Sequence, residues 1–194
     1  IELFEELINR WPGYRNLDGA YYLKGYCLLE MGRENTALDA FTSLVQRFPK
    51  SRFAAETWTR IGEFYFDDNK LPEAIAAYAR VLDYPKSPYY DEALYKLAWT
   101  YYRNDQYTQA IRRFRELIEF SDDRKKRTGQ AGSELRSEAI LYLAISLQEE
   151  DWDGDGEPDP DSGFQRVLRN VQGDRSYDVE ILRALAGIFF DNAK

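Results

Sequence analysis

Five acidic residues stand in one short stretch, DWDGDGEPD at 151–159: Asp151, Asp153, Asp155, Glu157 and Asp159. Alternation sets the first three carboxylates on one side of a tight loop. Calcium is a hard cation that takes six to eight oxygens. Loops that hold it draw ligands from positions 1, 3, 5, 7 and 9, the seventh through its main-chain carbonyl, with a glycine at 6 for the sharp turn. Counted from Asp151, those places fall on Asp151, Asp153, Asp155, Glu157 by its carbonyl, and Asp159, with Gly156 at the turn. The twelfth place, where a bidentate acid closes such a site, is Ser162, and Asp161 lies one residue early. The pattern predicts a weak Ca2+ site, with Kd of about 10⁻⁴–10⁻³ M. The alternative is an acidic, Gly- and Pro-rich surface turn with no ion.

Other chemistry is scarce. The 194 residues include no histidine and one cysteine, Cys27. That removes Ser-His-Asp and Cys-His catalysis, histidine-ligated zinc and any internal disulfide. Asp and Glu are plentiful, yet none sits in a recognisable catalytic motif, so the chain reads as no enzyme rather than a carboxylate-pair hydrolase. A net charge of −8 opposes nucleic acid as a partner, because phosphate binding needs a basic face. The one basic run, RKKR at 124–127, reads as a solvated polar loop. No apolar run approaches the roughly 18 residues of a membrane span. No signal peptide is visible, and the chain does not start with Met.

The elements that must carry these residues repeat. Around Gly25 stand Tyr21 and Leu28, then Ala37, Phe41, Leu44 and Pro49. Around Gly62 stand Trp58, Ile61 and Tyr65, then Ala74, Tyr78, Val81 and Pro85. Around Ala98 stand Leu94, Leu97 and Tyr101, then Ala110, Phe114 and Leu117. Registers starting at Asp18, Ala55 and Asp91 recur after 37 and 36 residues. Each unit reads as two amphipathic helices whose small residues meet, letting the backbones approach, while the aromatics fill the space between units. Pro49 and Pro85 end second helices.

These residues resemble the tetratricopeptide repeat (TPR) family. Its pattern W-x2-L-G-x2-Y…A-x3-F…P is met almost in full by Trp58, Ile61, Gly62, Tyr65, Ala74 and Tyr78, with Pro85 one place early. The resemblance implies an all-α fold, a right-handed α-solenoid of antiparallel helix pairs. One array would cover 1–194, as a piece of a longer chain. Residues 1–13 would be a second helix, followed by repeats at 18–50, 55–86, 91–120 and 137–172, and by the first helix of a further repeat at 178–191. The acidic insert 151–162 falls in the fourth repeat. Nine residues separate Leu28 from Ala37, Tyr65 from Ala74 and Tyr101 from Ala110, whereas Leu147 and Gly163 are sixteen apart. The insert resembles the D-x-D-G-D-G-x-P-D loops of bacterial thrombospondin type 3 repeats, which implies a calcium-ordered turn between two helices.

The TPR resemblance also assigns groove-facing slots. Carried over, they are Tyr22, Tyr26 and Leu29; then Glu56, Glu63 and Phe66; then Glu92, Tyr95, Trp99 and Tyr102. This is an aromatic groove edged by glutamates, suited to an extended or helical apolar partner segment with some basic residues, and it lacks the Lys/Asn clamp of chaperone-binding relatives. The joints RFPKSRFAAE and DYPKSPYYDEA resemble those of bacterial envelope TPR proteins, the BamD-like lipoproteins and CpoB-like periplasmic proteins. That implies a periplasmic or outer-membrane-associated scaffold with a protein or peptide partner. A structural spacer in a longer solenoid and a cytoplasmic adaptor without bound metal are the alternatives.

Overall fold

The computed structural model describes residues 1–149, 151, 155–157, 159–160 and 163–192, except the side chains of 191 and 192. Among them the chain is all-helical. In order the elements are α1 (Glu2–Arg10), α2 (Leu17–Glu30), α3 (Glu34–Arg47), α4 (Ala54–Asp67), α5 (Leu71–Val81), α6 (Tyr90–Arg103), α7 (Tyr107–Thr128), α8 (Arg136–Ser146), α9 (Gly163–Asn170) and α10 (Asp178–Asn192). The chain divides into two compact units, residues 1–93 and 94–194, and the division falls within α6.

In unit 1, α1 packs on α2, α2 on α3, α3 on α4 and α4 on α5. The small residues named above make the pairs close. A Cβ added to Gly25 would come within 2.4 Å of the Phe41 ring, and one added to Gly62 within 2.5 Å of the Tyr78 ring. Phe41 and Tyr78 are both buried, so each ring fills the room that its glycine leaves.

The repeat is also written in the backbone. At the end of α2, Gly32 takes φ +68, the Arg33 N–H donates to the Leu28 carbonyl and the Gly32 N–H to that of Leu29. The same pair of bonds closes α4 around Asn69 (φ 57) and α6 around Asp105 (φ 54). Gly, Asn and Asp are the residues that tolerate the left-handed conformation of this helix ending. Positions 32, 69 and 105 are spaced by the same 37 and 36 residues as the sequence registers.

In unit 2, α7 packs on α8, and α8 on α10. Leu97, Phe114, Leu117, Ile118, Leu143 and Leu147 are fully buried or nearly so. Polar bonds tie these helices together. Arg136 on α8 grips Asp122 of α7 with Nε and Nη2 (2.6 and 3.1 Å) and Glu180 of α10 with Nη1 and Nη2 (both 2.8 Å). The Tyr177 hydroxyl donates to Glu119 at 2.9 Å.

The basic run is not a loop. Residues 124–127 form the last turns of α7, which runs past the expected end at 120 to Thr128 and stops at Gly129 with φ 68. Lys125, Lys126 and Arg127 sit where the negative end of the helix dipole favours cations, and that accounts for the extension. No helix among the described residues is long and apolar enough to cross a membrane.

Candidate functional site

The groove slots fall on α2, α4 and α6, but their side chains differ in what they meet. On α2, Tyr22 stacks on Phe53 (centroids 4.5 Å apart, planes 13° apart) and its hydroxyl donates to Glu56 at 2.8 Å. Burial, followed by this bond to Glu56, pushes the Tyr22 phenol pKa upward. Glu56 also lies 3.7 Å from Arg60, which reaches Glu63 at 3.4 Å. The acid edge expected in this unit is therefore largely engaged. Tyr26 is 43% exposed and its neighbour Leu23 47%. Leu29 and Glu63 line one open cavity of about 420 Å3, together with Arg60, Asp67 and Asp68. Phe66 and Glu92 are half-buried.

A larger cavity of unit 1, about 960 Å3, is walled by Phe4, Leu7, Tyr22, Leu23 and Phe53. Arg15, Lys50 and Arg52 line it as well. Of the expected groove residues it takes only Tyr22. The others come from α1, from α2 residues such as Leu23 and from the segments before α2 and α4, which the sequence pattern marks only as joints. The signal was present in KSRF at 50–53, two cations beside an aromatic, but nothing in that string says that it folds against α1.

On the unit 2 part of α6, the Tyr95 hydroxyl donates to Glu138 at 2.7 Å and accepts from Trp99 Nε1 at 2.7 Å. Burial first, then Glu138, pushes the Tyr95 phenol up to about 12. Trp99 packs edge-on against Tyr142 at 4.3 Å. The Tyr102 hydroxyl donates to Glu149 at 2.6 Å. All three aromatics are thus tied to their own unit.

The acidic loop is described in part, and Asp153 lies outside the described residues. The Asp151 carboxylate accepts the N–H groups of Asp155 and Gly156, both at 3.0 Å, and Asp155 accepts that of Glu157 at 2.9 Å. Gly156 has φ +89, as a sharp turn requires. Asp159 pairs with Arg166 of α9 at 3.3 Å. Arg166 is 1% exposed and also donates to the carbonyls of Leu147 and Glu149. Among the described residues no three acids stand together as a metal cluster.

Tandem helix pairs with small-on-aromatic contacts and a repeating left-handed turn define a repeat protein of the helix-pair class, in which protein binding is the common use. Two models of the tetratricopeptide repeat match, at residues 19–51 and 65–127. Among solved structures, the chain is similar to the nearly identical TPR-like repeats named for a putative kinesin light chain of Podosopora anserina. Identity is 14%, the TM-score is 0.55, and the match covers 98% of this chain and 86% of that one. A single-substitution variant of the same repeats gives 13% identity, the same TM-score of 0.55, and 99% and 86% coverage. At these identities the likeness concerns the fold. No curated protein matches the sequence.

Proposed function

We propose that the chain is a non-enzymatic scaffold that holds a segment of a partner protein on the α2 side of unit 1. The carrying observation is the pair Leu23 and Tyr26, each nearly half exposed, beside the cavity walled by Tyr22 and Phe53. Exposed aromatic and aliphatic side chains next to a concavity are what binding anchors require. A photo-crosslinking amino acid at Tyr26 tests this in cells, with Arg124, exposed on α7, as the control site. Adducts to another protein at 26 and not at 124 are expected. Equal yields at both, or adducts only within the chain, would reduce it to a spacer.

The scaffold works in a bacterial envelope complex, at the periplasmic or outer-membrane surface. The joints RFPKSRFAAE and DYPKSPYYDEA support this placement. Cell fractionation that finds the chain only in the cytosol would leave the cytoplasmic adaptor instead.

Its acidic loop takes calcium weakly. Supporting this are the ligand spacing and the turn at Gly156. Asp159 would have to share its carboxylate with Arg166. Calorimetry with and without Asp153→Asn/Asp155→Asn tests it. Saturable heat lost in the variant is expected, and heat unchanged by the variant would end the idea.

A further inference from the structure

The 960 Å3 cavity of unit 1 has a charge of its own. Arg15, Lys50 and Arg52 line it, all three exposed, and none has an acidic partner within salt-bridge distance among the described residues. Elsewhere in the unit Arg10, Lys24, Lys70 and Arg80 each meet an acid, at 2.9, 3.0, 2.6 and 3.1 Å. Arg52 lies over the Phe53 ring at 4.6 Å, which holds its guanidinium beside the apolar wall.

Asp18 is the acid of the lining, and its carboxylate is already engaged. It accepts the Ser51 hydroxyl at 2.6 Å and the Gly19 N–H at 2.9 Å. Both α2 and α4 begin at this rim, next to Asn16 and Phe53, so the positive ends of two helix dipoles add to the three cations. In a protein of net charge −8 this is a local positive field around an apolar floor.

We propose that this cavity docks an acidic segment of the partner protein. The segment seats an apolar side chain against Phe4, Leu7 and Phe53 and turns flanking carboxylates to Arg15, Lys50 and Arg52. The inference rests on the scaffold reading and names the chemistry of its partner. Charge complementarity selects the occupant: a basic segment meets three like charges, and a neutral one leaves the cations without gain. The volume is at the top of the range for small-molecule sites, which suits several side chains of a peptide. The cations come from the segments before α2 and α4, not from the helix-face slots of the groove.

Three fluorescein-labelled peptides test it on the whole 194-residue chain, read by anisotropy. One carries Leu and Phe among Asp and Glu. The second replaces the acids by Lys, and the third replaces Leu and Phe by Ser. The first is expected to bind roughly tenfold or more tighter than the others, and the charge-reversal pair Arg15→Glu/Arg52→Glu to lose about that factor. Arg124→Glu should change nothing, and thermal melts should show that both variants fold.

Equal or tighter binding of the Lys peptide overturns the proposal. So does binding of the Ser peptide, or of a single-stranded oligonucleotide, as tightly as the first, since the site would then read charge alone. No binding of any peptide while position 26 crosslinks to a partner ends the acidic occupant and leaves the scaffold. No binding and no crosslink ends both.

Discussion

The aromatics of α2 and α6 correspond at two slots, Tyr22 with Tyr95 and Tyr26 with Trp99, and the two faces end in different surroundings. Tyr22 is stacked and bonded, but Tyr26, one turn on, is left nearly half exposed. On α6, Tyr95 is a junction that donates to Glu138 and accepts from Trp99, and Tyr102 is fastened to Glu149. The contrast extends to what holds each unit. Unit 1 relies on glycines pressed against Phe41 and Tyr78. Unit 2 adds arginines, Arg136 across two carboxylates and Arg166 in the interior. A slot number therefore says which way a side chain faces, and an acid arriving from the next repeat decides whether it stays available to a partner.

The sharpest way to break this contrast is to remove an arginine from each unit. Arg166→Met keeps the aliphatic bulk but removes the cation 3.3 Å from Asp159 and the donor to two carbonyls. A loss of about 2–4 kcal/mol is expected in urea unfolding, because removing one partner of a buried pair is costly. Arg60→Met in unit 1 removes contacts to Glu56 and Glu63 from a side chain 39% exposed, so screening holds the loss to roughly 0–1 kcal/mol. Comparable losses would mean that polar bonds hold the two units alike.

What the sequence made legible follows from the range of each force. The glycine-to-aromatic contacts recur at fixed spacing, and so do Gly32, Asn69 and Asp105, because a repeated local geometry demands a repeated residue type. The end of α7 was misread at RKKR: charge run and helix C-terminus look alike in a string, and the dipole preference that separates them is weak. Tyr95 to Glu138 and Tyr102 to Glu149 span 43 and 47 residues, and no periodicity names such a partner. Asp159 read as a ligand by its place in the loop. The Arg166 that takes it lies on the following helix and is buried, and the loop's spacing does not name it.

A second test sharpens the packing side, and its sign decides. Alanine is favoured over glycine in a helix by about 1 kcal/mol. If the Tyr78 ring could yield, Gly62→Ala would stabilise unit 1. The added Cβ falls 2.5 Å from the ring of a tyrosine that is 1% exposed, so overpacking should win and the variant should lose roughly 1–2 kcal/mol net. The matching position of the next repeat is Ala98, fully buried, which shows that a Cβ fits there. A Gly62→Ala variant as stable as the parent would remove this distinction.

The smallest effect belongs to the hydroxyl that fastens α6. Tyr95→Phe deletes one oxygen with two unequal consequences. Glu138 is turned toward solvent and can hydrate, whereas the Trp99 indole N–H loses an acceptor inside the cluster with Tyr142. A loss of about 1 kcal/mol at neutral pH is expected. The pH dependence gives a second readout. The Tyr95 phenol is pushed up to about 12, above the ordinary value of about 10. A group whose folded pKa is raised contributes stability that is complete below its unfolded pKa and is lost as pH climbs through the folded one. The parent should therefore lose stability between about pH 10 and 12, and Tyr95→Phe should flatten part of that fall. Tyr26→Phe on α2 touches no such bond and should leave neutral stability within roughly 0.5 kcal/mol of the parent. If Tyr95→Phe leaves both the neutral stability and the alkaline fall unchanged, the junction on α6 holds nothing, and its aromatics are as available to a partner as those of α2.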